Sequence, residues 1–289
     1  MKHWLLGCLC VLLCGTAVAA PGAEDQPVVE SSMLLTGTIV VAPDGSVRNH
    51  AIDRPEKVPS AIRAFADKAI TAWKFVPVVI DGQPVTAQVQ MHLRLIADPV
   101  EHGGYAIRIG GASFEGGAPN ESVQADLDVN RRRAPQYPYD AMVAHAGGTV
   151  YLLLRIGRQG QVLDIAAEQV NLTVQGEAWE MTRLRREFSG ASIAAAKQWR
   201  FIAPTAGPAE NLPYWLARVP VTFIPSRTGR APSEAAEYGR WQPYVRGPQE
   251  VVPWLQAPQL SADAADTTPD GSVLTLGQVP HLVTRVSGD

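Results

Sequence analysis

Cysteine is nearly missing from this sequence. Three of the 289 residues are cysteine, and all three (Cys8, Cys10 and Cys14) lie close to the amino terminus. The rest of the chain therefore has no disulfide bond, no zinc–thiolate site and no cysteine nucleophile. Its folded state has to be stabilised by packing and hydrogen bonds alone.

A surplus of charge of one sign is missing as well. The chain has 25 Lys and Arg against 28 Asp and Glu, a formal net charge of −3. Without an overall basic field we expect no nucleic-acid partner. The six histidines are scattered without metal-ligand spacing, and His92 falls on the polar, solvent-facing side of an alternating segment. No nucleophile, phosphate-loop or dinucleotide motif is present, so we expect no enzyme, no metal site and no cofactor.

Long apolar runs are restricted to one place. Trp4–Leu13 is almost entirely apolar, a short basic start precedes it, and Ala17-Val18-Ala19 supplies the small residues that a signal peptidase requires. This pattern predicts a secretory signal peptide over residues 1–19, with cleavage after Ala19 and export of the mature chain. Two alternatives stay open, namely a lipoprotein signal that ends at Cys14 and an uncleaved membrane anchor.

The first half of the remaining chain has a clear order of elements. Thr36–Val41 is an apolar, β-branched run, and Asp44-Gly45 after it predicts a hairpin because glycine accepts a positive φ. Apolar residues recur at helical spacing over Ile62–Trp73, with Ser60 as the expected N-cap. Strict alternation over Val85–Leu95 predicts a half-buried strand. The predicted unit is strand–turn–strand–helix–strand.

The same order returns in the second half. Val150–Ile156 alternates, a turn is expected at Gly160, a helix over Ser189–Gln198 and a last strand over Ala217–Phe223. The span from the turn glycine to the tryptophan that follows the helix is 28 residues in the first unit and 39 in the second. We therefore place an insertion of 11 residues within Leu172–Phe188 of the second unit. Both tryptophans, Trp73 and Trp199, are expected to anchor the cores.

These patterns predict an α+β fold of two modules, each an antiparallel sheet packed by a helix. The first module is placed at 33–98, and residues 99–133 are interpreted as a linker with one possible strand at Tyr105–Ile109. The second module is placed at 134–226. The Pro-rich tail at 227–289 is expected to be partly ordered over a domain, with a last hairpin at Pro269–Val273.

The second module carries a recognisable series of residues. In chain order, this series consists of Tyr137-Pro138, Ala141, Gly147-Gly148-Thr149-Val150, Gly160 and Trp199-Arg200-Phe201. In this series it resembles the C-terminal domain of TonB, the periplasmic energy transducer of Gram-negative bacteria. The first module resembles the same domain from its hairpin onward and lacks the Tyr-Pro segment.

The resemblance implies a periplasmic interaction protein that binds segments of outer-membrane TonB-dependent transporters by strand addition, because an exposed sheet edge offers unpaired N–H and C=O groups. Other periplasmic proteins are alternative partners, and an inner-membrane motor complex becomes one if the amino terminus is uncleaved. A purely structural or assembly module that reuses the fold without energy transduction is the alternative function.

Carried onto this sequence, the resemblance implies that the pairing strand is Leu216–Phe223. The implied partner-binding residues are Gln136, Tyr137, Pro138, Leu216, Arg218, Pro220 and Thr222. Side chains contribute little to strand addition, so loss of the Arg218 side chain is expected to weaken partner binding only modestly. Whether odd or even residues point outward is left open by the sequence. Tyr137 has a structural alternative, in which Pro138 starts a short helix over Tyr139–Ala144 and Tyr137 packs beneath it.

Overall fold

The computed structural model describes residues 29–116, 126–127, 133–202, 211–225, 237–255, 265–270, 272–276 and 282–284. The predicted signal peptide, residues 1–19, lies outside these ranges. Within them, no helix has the length and apolar character needed to cross a membrane.

Antiparallel strands dominate the fold, and helices are few. The strands are β1 (Glu30–Val41), β2 (Val47–Ile52), β3 (Val78–Ile80), β4 (Gln83–Val85), β5 (Ala87–Pro99), β6 (Tyr105–Glu115), β7 (Asp126–Leu127), β8 (Gly148–Gly157), β9 (Val162–Leu172), β10 (Phe201–Ile202), β11 (Tyr214–Phe223), β12 (Gln242–Tyr244) and β13 (Leu274–Leu276). The helices are α1 (Ser60–Thr71), α2 (Tyr139–Val143) and α3 (Ala178–Ala196), and 3₁₀ turns occur at Pro55–Lys57 and Ala265–Thr267.

The first unit is built on the sheet order β2–β1–β5–β6, with β12 beside the start of β1. Alternating residues of β5 such as Val89, Met91 and Leu93 are fully buried against α1 and its neighbours, as the period-2 pattern predicts. α1 begins at Ser60, but its N-cap is Pro59 and no side chain caps it. The expectation that Ser60 is the N-cap is therefore wrong.

The face of β5 that carries His92, opposite the face of Val89 and Met91, is not a solvated surface. His92 is only 9% exposed, and its Nε2 lies 3.5 Å from Oε1 of Glu115 on β6. From His92 onward both faces of β5 are largely buried, because the turn Ala265–Thr267 from the tail packs over this end of β5 and β6. The prediction that His92 is solvent-exposed is wrong for this reason.

The second unit has the sheet order β9–β8–β11–β13, with α3 packed on β8 and β9. α3 is 19 residues long and begins eleven residues before the predicted start at Ser189. Met181, Leu184 and Phe188, at spacings of three and four, continue its buried face toward the amino terminus. The predicted insertion in Leu172–Phe188 therefore includes the first half of this helix.

In both units, a backbone hydrogen bond joins the turn glycine to the segment that follows the helix. Phe75 N donates to Gly45 O at 2.8 Å, and Phe201 N donates to Gly160 O at 2.9 Å. Both glycines have positive φ, 79° and 75°. A Cβ at Gly45 or Gly160 would lie 2.1 Å or 1.9 Å from the carbonyl oxygen of Phe75 or Phe201, which only glycine avoids. The repeated order of elements therefore extends to the hydrogen bonds that join each turn to the segment after its helix.

Two segments differ from the interpretation of the sequence. The first half of the presumed linker at 99–133 carries β6, an 11-residue strand that extends the expected strand at Tyr105–Ile109 to Glu115 and pairs with β5. In the tail, Ser272 N donates to Pro269 O at 3.2 Å, so a turn forms where a hairpin was expected. The strand that follows it, β13, pairs with β11.

The tail runs across both units. β12 pairs with β1, and the next residues reach the edge of β9, where Val245 exchanges backbone hydrogen bonds of 2.7 and 3.0 Å with Leu172. β13 lies on β11, and Leu282 forms a bridge with Phe75 in the first unit. The tail thus joins the two sheets into one architecture.

Candidate partner-binding edge

The candidate site is the edge of β11 that faces away from β8. One face of β11 packs in the core under α3 through Trp215, Ala217, Val219, Val221 and Phe223. The even-numbered side chains lie on the opposite face, which includes the predicted site residues Leu216, Arg218, Pro220 and Thr222. The site is therefore defined by the backbone at this edge and by the second face of the sheet.

Pro220 settles which backbone groups of β11 point outward. The β8–β11 ladder runs without a register shift from Tyr214 to Phe223 and includes Pro220 opposite Tyr151. Proline has no N–H, so the ladder stays continuous only if the odd residues of β11 bond to β8. The even residues then direct their N–H and C=O groups toward the other edge, which is the position that tolerates proline.

That edge is already paired over part of its length. β13 lies antiparallel to β11, with Leu276 opposite Leu216, Thr275 opposite Ala217 and Leu274 opposite Arg218. Leu274 and Leu276 are buried in a small cluster with Leu153, Leu216 and Val252 on the second face of the sheet. The outer edge of β11 is therefore not free along the whole length of the predicted pairing strand.

Arg218 is buried rather than solvated. Its Nε and Nη2 donate to Oε2 and Oε1 of Glu168 on β9 at 2.7 and 2.9 Å, and both side chains are 1% exposed. Gln249 Nε2 also donates to Glu168 Oε1, at 3.2 Å. Arg218 Nη1 is buried and has no hydrogen-bond partner among the described residues. The modest contribution of Arg218 to partner binding stays a prediction, and the buried ion pair gives this side chain a structural role as well.

Thr222 lies where the edge is less covered. Its hydroxyl donates to Asp270 Oδ1 at 2.5 Å and lies 3.0 Å from the hydroxyl of Thr149 on β8. Asp270 comes from the tail, shortly before β13. The tail therefore contacts β11 on both sides of Pro220.

The Gln136-Tyr137-Pro138 segment contacts β11 through Tyr137, on the face of β11 that packs in the core. Tyr137 OH donates to Ala146 O at 2.6 Å, and its ring packs edge-on against Phe188 and Phe223. Burial raises the pKa of Tyr137. Pro138 is the N-cap of α2, so the structural interpretation of Tyr137-Pro138 is confirmed.

The predicted site residues are therefore brought together only in part. Gln136 is exposed, and the contact between Tyr137 and Phe223 places it near the carboxyl end of β11. Leu216, Arg218 and Pro220 are buried, and Leu216 and Arg218 lie opposite β13 of the tail.

Asp266 was not singled out by the sequence, yet it holds the tail in place. Its side chain is fully buried, and its carboxylate accepts from Arg246 Nη2 at 3.0 Å and from Asn171 Nδ2 at 3.4 Å. Its backbone oxygen accepts from Arg94 Nε at 2.5 Å. One tail residue thus bonds to side chains from both units. Its surroundings in sequence are Ala, Asp and Thr without periodicity, so no signal marked it.

No group of three or more His, Cys, Asp or Glu side chains is placed to hold a metal ion in the described ranges. Comparisons of the chain with protein-family models, with curated proteins and with solved structures found no match.

Proposed function

We propose that this protein is a periplasmic TonB-like interaction protein, built from two TonB C-terminal-like modules, that binds an extended partner segment by strand addition at the edge of β11. One observation carries the proposal: β11 is ten residues long, and the strand paired with its outer edge, β13, is three. Among the residues that the structure describes, this short strand on a long one leaves an incomplete ladder, which is the feature that strand addition uses.

The two units differ in how far this edge is covered. In the first unit, β6 pairs with β5 from Gln90 to Pro99, so the corresponding edge is closed along most of the strand. In the second unit, β13 pairs only with Leu216–Arg218. We therefore assign partner binding to the second unit and a supporting role to the first.

The partner that fits the resemblance is an extended segment of an outer-membrane TonB-dependent transporter. Backbone pairing needs no particular side chain, so the protein acts as a binding module and not as an enzyme. Participation in energy-dependent transport depends on an uncleaved amino terminus that reaches an inner-membrane motor, and cleavage after Ala19 leaves binding without force transmission.

A structural or assembly module is the second candidate function. It is favoured by the course of the tail, which pairs with β1, β9 and β11 and buries Asp266 between the units. In this alternative the tail completes the fold, and β11 receives no partner.

The experiment is a titration of isotope-labelled full-length protein with peptides from the plug ends of outer-membrane transporters, followed through backbone amide shifts. Binding at β11 predicts shifts in residues 214–224. Thr222→Pro removes an outward N–H and is expected to weaken binding, while Thr222→Val keeps that N–H and serves as the matched control. If no peptide shifts these residues, or the shifts cluster elsewhere, the assembly alternative replaces the proposal.

A further inference from the structure

We propose that β13 is a replaceable strand that occupies the partner site of β11, and that the partner segment carries an apolar residue where β13 has Thr275. This inference rests on the proposed function, because it describes how that same edge is regulated. The partner segment is an extended triplet of apolar residues, of which the first and the third are bulky.

β13 and a partner strand exclude each other. The outward groups of β11 belong to its even residues, and β13 faces those of Leu216 and Arg218. Outside that pairing, and counting only the described residues, the strand offers outward groups at Tyr214, Pro220 and Thr222, and Pro220 lacks the N–H. A partner that lies along β11 therefore has to take the positions that β13 holds.

One residue of β13, Thr275, is poorly suited to its position. Thr275 lies opposite Ala217, which is fully buried in the core under α3. The Thr275 hydroxyl is buried and has no hydrogen-bond partner among the residues that the structure describes. A buried hydroxyl left without a partner opposes burial of the strand that carries it. A segment with Val at this position keeps the shape and avoids that cost.

The flanking residues of β13 supply the attraction. Leu274 is 1% and Leu276 is 6% exposed, and both pack in the cluster with Leu216 and Leu153. A partner segment with bulky apolar residues in these two positions would bury the same surface. The tether still favours β13, since a linked strand acts at an effective concentration on the order of millimolar.

The first test locks β13 in place. Ala217 and Thr275 are directly opposite, and because the even residues of β11 form the hydrogen-bonded pairs with β13, these two form a non-hydrogen-bonded pair. Cα atoms in such pairs are about 4.5 Å apart, within the range that a disulfide bridges. The variant is Ala217→Cys with Thr275→Cys in the full chain, with Cys8, Cys10 and Cys14 replaced by serine. Each single cysteine variant is a control for the substitution itself.

The probes are two lysine-flanked peptides that copy residues 272–276, one with the native Thr275 and one with Thr275→Val. We expect the reduced protein to bind both, and to bind the valine peptide about fivefold to tenfold more tightly. The oxidised protein is expected to lose binding, and reduction is expected to restore it. Equal affinity in both redox states overturns the proposal, as does equal affinity for the two peptides.

A second measurement needs no peptide. Hydrogen exchange of the Leu274 and Leu276 amides in the wild-type chain is expected to be at least about 100-fold faster than that of Val219 and Val221, because a replaceable strand opens locally while the core stays closed. Exchange as slow as in the core overturns the proposal.

The outcomes separate this inference from the proposed function. If the copied peptides bind only the reduced protein and no transporter peptide binds, β13 is replaceable and the proposed function fails. If transporter peptides bind the oxidised and reduced proteins alike at residues 214–224, the proposed function stands and this inference fails.

Discussion

The ion pair between Arg218 and Glu168 makes the most direct test of the structure. Its two hydrogen bonds are short, and both partners are 1% exposed, so neither charge is solvated. In Arg218→Ala, Glu168 keeps, among the described residues, only the side-chain hydrogen bond from Gln249 and becomes a buried charge without an ionic partner there. Breaking a buried pair from one side costs about 3–5 kcal/mol, and we expect the free energy of unfolding to fall by that amount.

Two further variants separate the loss of pairing from the loss of packing. Arg218→Met combined with Glu168→Leu removes both charges and keeps side-chain volume, so the double variant is expected to lie within about 1–2 kcal/mol of the wild type or to exceed its stability. Arg183→Ala removes an arginine from an exposed pair with Asp140, where the two side chains are 39% and 56% exposed. Exposed pairs are worth about 0–1 kcal/mol, so this variant is the matched control.

The assay is urea denaturation followed by tryptophan fluorescence and far-UV circular dichroism, with coincident transitions checked first. A loss below about 1 kcal/mol for Arg218→Ala, equal to that of Arg183→Ala, means that the Arg218 side chain is solvated. The burial of the second face of β11 beneath the tail would then be refuted. A double variant that is as unstable as Arg218→Ala would show that packing, and not the unpaired charge, accounts for the loss.

The remaining predictions use the same denaturation assay or mass spectrometry. Trp199→Ala, at a fully buried position, is expected to cost ~3–5 kcal/mol, and a surface-like loss would contradict its place in the core. Gly160→Ala is expected to destabilise strongly because its Cβ would meet Phe201 O, whereas Gly82→Ala meets no neighbour and tests the φ strain alone. Burial raises the pKa of Tyr151, so its contribution to stability should be retained below the unfolded value of 10.0 and be lost as pH rises above it, and Tyr151→Phe should reduce that fall. Mass spectrometry of the exported protein is expected to find cleavage after Ala19, and an intact Met1 end would favour the anchored alternative.

The sequence by itself determined the main strands and helices of the two units, such as β1, α1, β5 and β11, and the face of each that packs in the core. In β11, the odd residues from Trp215 to Phe223 are apolar, and that period of two places all of them on the face that packs in the core. Asp44-Gly45 fixed the first hairpin, because a positive φ at this position admits little besides glycine. These are local properties, set by neighbours in the chain, and a single sequence reports them.

The tertiary structure alone decided what covers the second face and the edge. A polar residue such as Arg218 gives the same alternation whether it meets water or a buried carboxylate, so the pattern could not distinguish the two. The partner of β11 at this edge is a three-residue strand sixty positions later in the chain, too short to show a period of its own. Asp266 likewise bonds to Arg94, Asn171 and Arg246 only because the two sheets and the tail converge there. Such contacts join residues distant in sequence, and their energies depend on burial, which exists only once the chain has folded.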